Sequence, residues 1–297
     1  MSTVVLLAVT GLGLGALYFL VAAGLSLIYG VMRILNFAHG ALLTAGGYLG
    51  YQVGSHTGSH ADSWPVFALM LLVGAASGGV LAWLIEVLLI RRLYSREIEQ
   101  VLVTVGLGLA AVALVSGIWG ADARTFPSPA WMARTTTILG ADVPNLRFVC
   151  ILAALLVLLG LQLLLARTRY GLIIRAGVEN RTMVSALGID VGRTFTAVFT
   201  LGGALAGLGG VLTALYNSTV SPRMGDSLLI FAFIVVVIGG LGSVTGSALA
   251  AAGVALLQQF ANYYAVSGVG DLTVVVALAM VLLVRPGGFV GRQVRLA

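Results

Sequence analysis

The densest group of residues able to do chemistry lies in one polar stretch, residues 167–193, within an otherwise apolar chain. Its charged members are Arg167, Arg169, Arg175, Glu179, Arg181, Asp190 and Arg193. The segment from Leu172 to Leu187 is amphipathic, and Gly188 after it is a typical helix stop, because glycine accepts the left-handed backbone conformation. The pattern predicts a short helix beside the membrane that a soluble partner binds in order to drive the membrane part.

A second polar pair, Asn36 and His39, opens the second predicted membrane helix. Residues three apart share one face of a helix, so we expect both side chains on the same side. Polar groups at membrane depth are costly and usually face the bundle interior or a wet cavity. The pair therefore predicts either a lining of a transport path or a hydrogen bond to a neighbouring helix.

Glycines also cluster at GGLGSVTG, where the seventh and eighth predicted spans meet. A broken helix exposes backbone groups that can line a cavity, so Gly239, Gly240 and Gly242 join the candidate path. Glycines four residues apart elsewhere, such as Gly203 and Gly207, predict close packing of helix backbones.

The sequence gives little support for a proton-relay carboxylate, a metal site or a catalytic site. Glu86 lies in the third predicted span near its cytoplasmic end, and we expect it either to pair with an arginine or to extend to the membrane interface. His56 and His60 fall in a predicted external loop whose Gly58 and serines disfavour a metal site. The sequence contains no Walker A, GxSxG or HExxH motif, so ATP hydrolysis is expected to belong to a separate protein.

These residues sit in a chain that is 60% hydrophobic and only 9% charged, whereas soluble domains are about a quarter charged. Continuous apolar runs predict an all-α polytopic membrane protein, with residues 1–297 as a single permease domain and 167–193 as a loop within it. Nine spans are predicted, or eight if a late pair merges. Their approximate ranges are 4–29, 34–54, 65–90, 99–119, 147–166, 194–216, 227–245, 246–264 and 270–285.

The basic residues predict the orientation of these spans. All sixteen are arginine, and with nine spans twelve of them fall on one side, including those of 167–193. Because cytoplasmic loops carry the excess of positive charge, the N-terminus is expected outside and the C-terminus in the cytoplasm. The net charge of +6 is then a consequence of topology and does not indicate nucleic-acid binding.

The first and sixth predicted spans end alike. SLIYGVMRILNFAHG and LTALYNSTVSPRMGD both run from a glycine-rich helix into a tyrosine, a break and a second helix. Five spans separate the two segments, so they would cross the membrane in opposite directions. The pattern favours an inverted repeat, whose interface commonly carries the substrate path in transporters.

Five motifs in order resemble the LivH-type permeases of branched-chain amino acid ABC transporters, over nearly the whole chain. They are GLSLIYGVMRILNFAHGALLTAGGYLGY, RYGLIIRAGVENRTMVSALGIDVGR, ALAGLGGVLTALYNSTVSPRMGD, IVVVIGGLGSVTGSALAA and LLVRPGGFVG. One departure is the loop RRLYSREIEQ, which lacks the proline that the family usually carries there.

The resemblance implies a working assembly. The partners would be a second, LivM-like permease, two ATPase subunits that hold the ATP and magnesium, and a periplasmic solute-binding protein, at the bacterial inner membrane. This chain would carry no cofactor of its own. Arg175, Glu179, Asn180 and Gly188 would lie in or beside the ATPase contact, and Asn36 and His39 fall in the family's NFAHG motif.

The substrate and the mode of energisation remain open at this level. Relatives that carry urea, amides or aromatic acids share the motifs, so the family does not single out branched-chain amino acids. An autonomous secondary transporter is the alternative from another class, and it normally needs buried acidic residues for ion coupling.

Overall fold

The computed structural model describes residues 2–57, 63–94, 96–179, 183–184, 188, 190–266 and 268–290, with the backbone alone at 177–179. Its helices are α1 (Ser2–Met32), α2 (His39–Thr57), α3 (Trp64–Leu88), α4 (Glu97–Trp119), α5 (Ala130–Ala133), α6 (Asn145–Arg167), α7 (Arg169–Glu179), α8 (Val191–Asn217), α9 (Met224–Gly239), α10 (Val244–Tyr264) and α11 (Val269–Val284). A short 3-10 helix, Ile90–Leu93, follows α3. The strands are β1 (Arg124–Thr125), β2 (Thr135–Ile138), β3 (Ala141–Pro144) and β4 (Thr219–Val220).

The prediction of an all-α polytopic membrane protein is confirmed. Six helices within the described ranges are long and apolar enough to cross a membrane: α1, α3, α4, α6, α8 and α10. Helices α9 and α11 are apolar but have 16 residues each, about 24 Å, which is short of the ~30 Å hydrocarbon core. A helix lies at each of the nine predicted positions, and the count of nine crossings stays a prediction.

Three predicted boundaries are wrong for local reasons. The second helix begins at His39 and not near residue 34, because Arg33 adopts a positive φ of 57° and ends α1. The seventh and eighth helices meet within GGLGSVTG, as predicted, but earlier than 245/246. Helix α9 ends at Gly239, and Ser243 caps α10 by accepting a hydrogen bond from the Gly246 N–H at 3.0 Å.

The third wrong boundary is the end of α2, which extends to Thr57 and so includes His56. His56 lies in the last turn of α2 and not in a loop, with its Nδ1 2.8 Å from the Gln52 carbonyl oxygen. His60 lies outside the described residues.

Helix α8 forms the centre of the bundle, with α1, α2 and α3 packed around it. Small residues make this possible, because a Cβ on Gly207 would collide with the Gly74 carbonyl oxygen of α3, and a Cβ on Gly78 with that of Gly203. Helices α4 and α6 lie at the periphery, with few of their residues buried. The close packing predicted for Gly203 and Gly207 of α8 is confirmed, and their partners are Gly78 and Gly74 of α3.

The segment between α4 and α6 contains a short helix and three of the four strands. Strands β2 and β3 form an antiparallel hairpin, and β1 pairs with β4 from the end of α8. Trp131 of the short helix α5 stacks on Trp64 with ring centroids 4.2 Å apart. The loop is thereby attached to the ends of α3 and α8.

Replacing Gly207 by alanine is expected to destabilise the bundle, because the new methyl group has no space against the α3 backbone. Overpacking of this kind costs about 1–3 kcal/mol. Thermal unfolding in detergent, followed by tryptophan fluorescence, measures the effect. Gly253→Ala is the matched control, since nothing lies within 4 Å of a Cβ there and alanine favours the helix. Equal unfolding temperatures for the two variants would contradict the packing described here.

Candidate functional site

The chain folds back into the bundle between α1 and α2. The His39 Nε2 atom lies 3.1 Å from the carbonyl oxygen of Val21, eleven residues before the end of α1 at Met32. At 1.5 Å per residue this is about 16 Å. Segment 33–38 therefore runs back along α1, and α2 begins inside the bundle instead of at its end.

Asn36 organises this segment. Its Oδ1 accepts a hydrogen bond from the Ala38 N–H at 3.1 Å, and its carbonyl oxygen accepts one from the His39 N–H at 3.2 Å. Asn36 thus precedes α2, and the expectation that it shares a helical face with His39 is wrong. The side chain is only 2% exposed, and its Nδ2 has no hydrogen-bond partner among the described residues.

A second break, 218–223, lies between α8 and α9. It begins at Ser218 with a positive φ of 55°, and the Gly225 N–H after it donates to the Thr44 Oγ1 of α2 at 3.1 Å. A Cβ on Gly40 would lie 2.8 Å from the Gly225 carbonyl oxygen. The first turns of α2 and α9 are therefore in direct backbone contact within the bundle.

A cavity of about 350 Å³ lies beside segment 33–38. Its walls come from the end of α1, from residues 34–37, from α9 and from Leu241 and Leu278. Nearly all of these side chains are apolar, and Phe37 stacks on Phe233 across the two elements with ring centroids 6.4 Å apart. Asn36 is among the lining residues, although its Nδ2 atom is buried.

The other candidate path residues occupy different positions. His39 is fully buried, with its imidazole against Gly24 of α1. Gly239 packs on the backbone of Gly246, and a Cβ on Gly242 would lie 2.7 Å from the Gly30 Cα. Gly240 has a φ of 101°, which turns the chain between α9 and α10. Leu241, between the glycines, reaches the cavity.

The polar stretch 167–193 contains the expected short helix, although α7 begins at Arg169, earlier than predicted. The Thr168 Oγ1 accepts a hydrogen bond from the Gly171 N–H at 3.1 Å, so α7 follows α6 almost without a linker. Ile174 is buried, whereas Arg175, Tyr170 and Leu172 are exposed.

The end of this segment is described in part. Residues 183–184 are helical, and Gly188 has a φ of 78°, as expected of a helix stop. Asn180 and the side chain of Glu179 lie outside the described residues. Asp190 caps α8 by accepting a hydrogen bond from the Arg193 N–H at 3.1 Å.

Glu86 pairs with an arginine, as predicted. Its carboxylate is fully buried, lies 3.5 Å from the Arg91 Nε and accepts a hydrogen bond from the Tyr94 hydroxyl. Arg91 also donates to the Thr196 Oγ1 at 2.6 Å. This group joins the end of α3 to the start of α8, which is a structural use of the carboxylate.

Several polar contacts in the bundle could not be found from the sequence. One is the hydrogen bond from the Gly225 N–H to Thr44, and another is the hydrogen bond of 2.5 Å between Ser26 and Ser247. The Tyr18 hydroxyl donates to Gln258, which in turn donates to Asp271 at 2.6 Å. Single polar residues in apolar helices carry no spacing signal that names their partners.

Comparison with known proteins agrees with this architecture. The family model described as "Branched-chain amino acid transport system / permease component" matches residues 7–285. The permease protein LivH of the high-affinity branched-chain amino acid transport system of Escherichia coli (strain K12) is 26% identical over 95% of this chain and 94% of the relative. BraD of Pseudomonas aeruginosa is 27% identical over 96% and 94%. A probable LivH of Methanocaldococcus jannaschii is 29% identical over 92% and 88%. No solved structure matches significantly.

Replacing Thr44 by valine is expected to destabilise the contact between α2 and α9. Valine keeps the shape but leaves the Gly225 N–H without an acceptor inside the bundle, at a cost of about 1–3 kcal/mol. The midpoint of thermal unfolding in detergent should fall for Thr44→Val, while Thr44→Ser, which keeps the hydroxyl, should stay near the parent. A valine variant as stable as the serine variant would show that the hydrogen bond is dispensable.

Proposed function

This chain belongs to the permease component family of branched-chain amino acid transport systems, and from that premise we propose that it moves branched-chain or other hydrophobic amino acids inward. It is a transmembrane permease subunit of an ABC importer. The observation that carries the proposal is the extent of the family match. It covers residues 7–285, and therefore includes the bundle core, both re-entrant breaks and the exposed helix α7.

The proposed assembly follows the pattern implied by the family. A periplasmic solute-binding protein delivers the amino acid to a path between this chain and a second, LivM-like permease. Two ATPase subunits bind ATP and magnesium on the cytoplasmic side. This chain supplies the path and the surface on which the ATPases act.

We place the path beside the two breaks. Asn36 lines the cavity, and the glycine turn at Gly239, Gly240 and Gly242 lies at its edge through Leu241. His39 contributes by holding the start of α2 against Val21. The similar geometry of breaks 33–38 and 218–223 supports an inverted repeat, in which helices broken at the repeat interface form the substrate site.

The coupling surface is proposed at α7 and the residues after it. Helix α7 exposes Tyr170 and Leu172 next to Arg175, a mixture of apolar and charged groups that suits a protein partner. Glu179, Asn180 and Gly188 extend the same segment. Because α7 also contacts α1, α6 and α8, a force applied to it reaches the bundle core.

The proposal is tested by gentle purification of this chain from its native membranes, followed by ATPase assay and reconstitution. We expect a second permease and ATP-hydrolysing subunits to copurify, and leucine uptake to require ATP and a binding protein. If the chain alone moves solute in liposomes without nucleotide, the secondary-transporter alternative replaces the importer.

Charge reversal in the coupling segment is expected to reduce uptake. Arg175→Glu and Glu179→Arg should each lower ATP-driven leucine uptake by roughly tenfold or more, because reversed charges at a protein interface weaken docking. Uptake into proteoliposomes and copurification of the ATPase are the measurements. Glu97→Arg, an exposed charge at the start of α4, is the control. Normal uptake in both reversed variants would remove α7 from the coupling role.

Nine crossings with an external N-terminus give a testable topology. A green fluorescent protein fused after Ala297 should fluoresce, because the C-terminus is cytoplasmic, whereas alkaline phosphatase inserted at Asp142 should be active in the periplasm. An active phosphatase at the C-terminus would favour eight crossings instead.

A further inference from the structure

A groove on the outside of the bundle lies between the end of α3 and the first half of α8. Its volume is about 720 Å³, and it is open at the surface. Helix α3 supplies Trp83 and Val87, which share one helical face, and Arg91 follows in the 3-10 helix. Helix α8 supplies a stripe with spacings of three and four, formed by Arg193, Thr196, Ala197, Thr200, Leu201 and Ala204. The groove is therefore a part of the central helix that its neighbours leave uncovered.

The two ends of this groove differ in polarity. Arg91 and Arg193 lie at its mouth, whereas Leu201 and Ala204 lie at its far end. From Arg193 to Ala204 the helix rises about 16 Å, close to half of the ~30 Å hydrocarbon core of a bilayer. Trp83 on the α3 side is 46% exposed, and tryptophan is enriched near membrane interfaces. The groove thus has the length of one lipid leaflet, with charge at the headgroup level and apolar surface along the chains.

Both arginines at the mouth retain N–H groups for a further acceptor. The Arg91 Nε lies 3.5 Å from the Glu86 carboxylate, and one terminal nitrogen donates to Thr196, which leaves the other terminal nitrogen. Arg193 contacts Asp190 through its Nε at 3.0 Å, and no hydrogen bond of its terminal nitrogens occurs among the described residues. The two side chains of that pair are 87% and 57% exposed, so it competes only weakly with another anion. Guanidinium groups of this kind bind phosphate oxygens well.

The same end of the bundle carries further positive charge. Within the described part of the chain, four more arginines form no ion pair there: Arg92, Arg167, Arg169 and Arg175. Basic pockets between membrane helices bind anionic lipid headgroups, because each arginine near the surface attracts them. A soluble anion would use the arginines and leave the apolar part of the groove uncovered, whereas a lipid would use both.

We propose that this groove binds an anionic phospholipid, with the phosphate at Arg91 and Arg193 and one acyl chain along Ala197 and Leu201. The site faces the membrane, goes beyond the transport function and does not depend on it. In the proposed orientation the lipid belongs to the cytoplasmic leaflet. A lipid bound there joins the end of α3 to the start of α8, beside the contact of Arg91 with Glu86.

Native mass spectrometry of the full-length chain tests the proposal. The chain is purified in detergent, stripped of lipid, and titrated with dioleoyl phosphatidylglycerol or with dioleoyl phosphatidylcholine, which carries the same acyl chains without the net charge. The first phosphatidylglycerol should bind at least about fivefold more tightly, the effect of one basic residue near an anionic headgroup. Equal affinities for the two lipids would overturn the anionic site.

Substitutions of Arg193 separate a built site from general charge attraction. Arg193→Gln should weaken binding of phosphatidylglycerol by about fivefold, and Arg193→Lys should retain most of it. Arg92→Gln is the matched control, because Arg92 is exposed and adjacent to Arg91 but does not line the groove. Asp190→Asn keeps the cap of α8 and removes the competing carboxylate, so it should strengthen binding. Equal losses for Arg92→Gln and Arg193→Gln would overturn the site.

Filling the groove distinguishes a lipid from free phosphate. Ala197 is exposed, so Ala197→Phe leaves the buried core intact, and its ring should remove most phosphatidylglycerol binding by occupying the place of the acyl chain. Ala166→Phe is the control, since Ala166 is exposed at the same end of α6 and lies outside the groove. Binding that depends on Arg193 but not on Ala197 would show that phosphate is bound without its chain, and the lipid site would be wrong.

The complex purified from native membranes gives the last comparison. An anionic phospholipid should remain with it after detergent washing and should be lost in the Ala197→Phe variant. A complex that retains no such lipid, although its other subunits are present, would assign the groove to a protein partner and overturn the proposal.

Discussion

A backbone N–H or C=O group inside a membrane protein must find a partner within the protein, because the hydrocarbon offers none. This chain begins two helices inside its bundle, at His39 and Met224, and each start carries unpaired N–H groups. Asn36 pairs with the N–H of Ala38, and Thr44 pairs with that of Gly225. At the second start the N–H groups of Met224 and Asp226 bond to carbonyl oxygens of the break itself, at Ser221 and Arg223, and the Gly225 N–H depends on a side chain of α2.

That dependence explains the glycines around it. Thr44 reaches Gly225 only because α2 and α9 approach until the backbones of Gly40 and Gly225 meet. Helix α8 has to come as close on the other side, where Gly210 meets Leu43 and Gly47. At these glycines the three helices meet largely backbone to backbone, as small residues allow. The two breaks therefore require small residues at these positions, because the helices beside the breaks pack with their backbones in contact.

Features with a repeating pattern, such as apolar helices and rows of glycines, could be predicted from the sequence. Features that depend on a single residue or on distant residues could not. Hydropathy placed every long helix within a few residues, and the row through Gly203 and Gly207 predicted close packing. The start of α2 was missed because Asn36 lies in an apolar run that hydropathy cannot divide. The cavity was missed too, because its walls come from residues about 200 positions apart, and apolar side chains such as Leu25 and Phe233 look like any other lipid-facing or packed residue.

The proposed coupling segment and the cavity are joined by one continuous helix. Helix α7 packs on α1, and α1 carries Leu25 and Tyr29 of the cavity wall before it leads into segment 33–38. The opposite wall belongs to α9, whose last carbonyl groups, at Ile238 and Gly239, accept hydrogen bonds from the N–H groups of Phe289 and Val290. Glu86 and Arg91 meanwhile hold α3 to α8. Helix α7 therefore contacts a helix of the core that also forms one wall of the cavity, opposite the wall from α9.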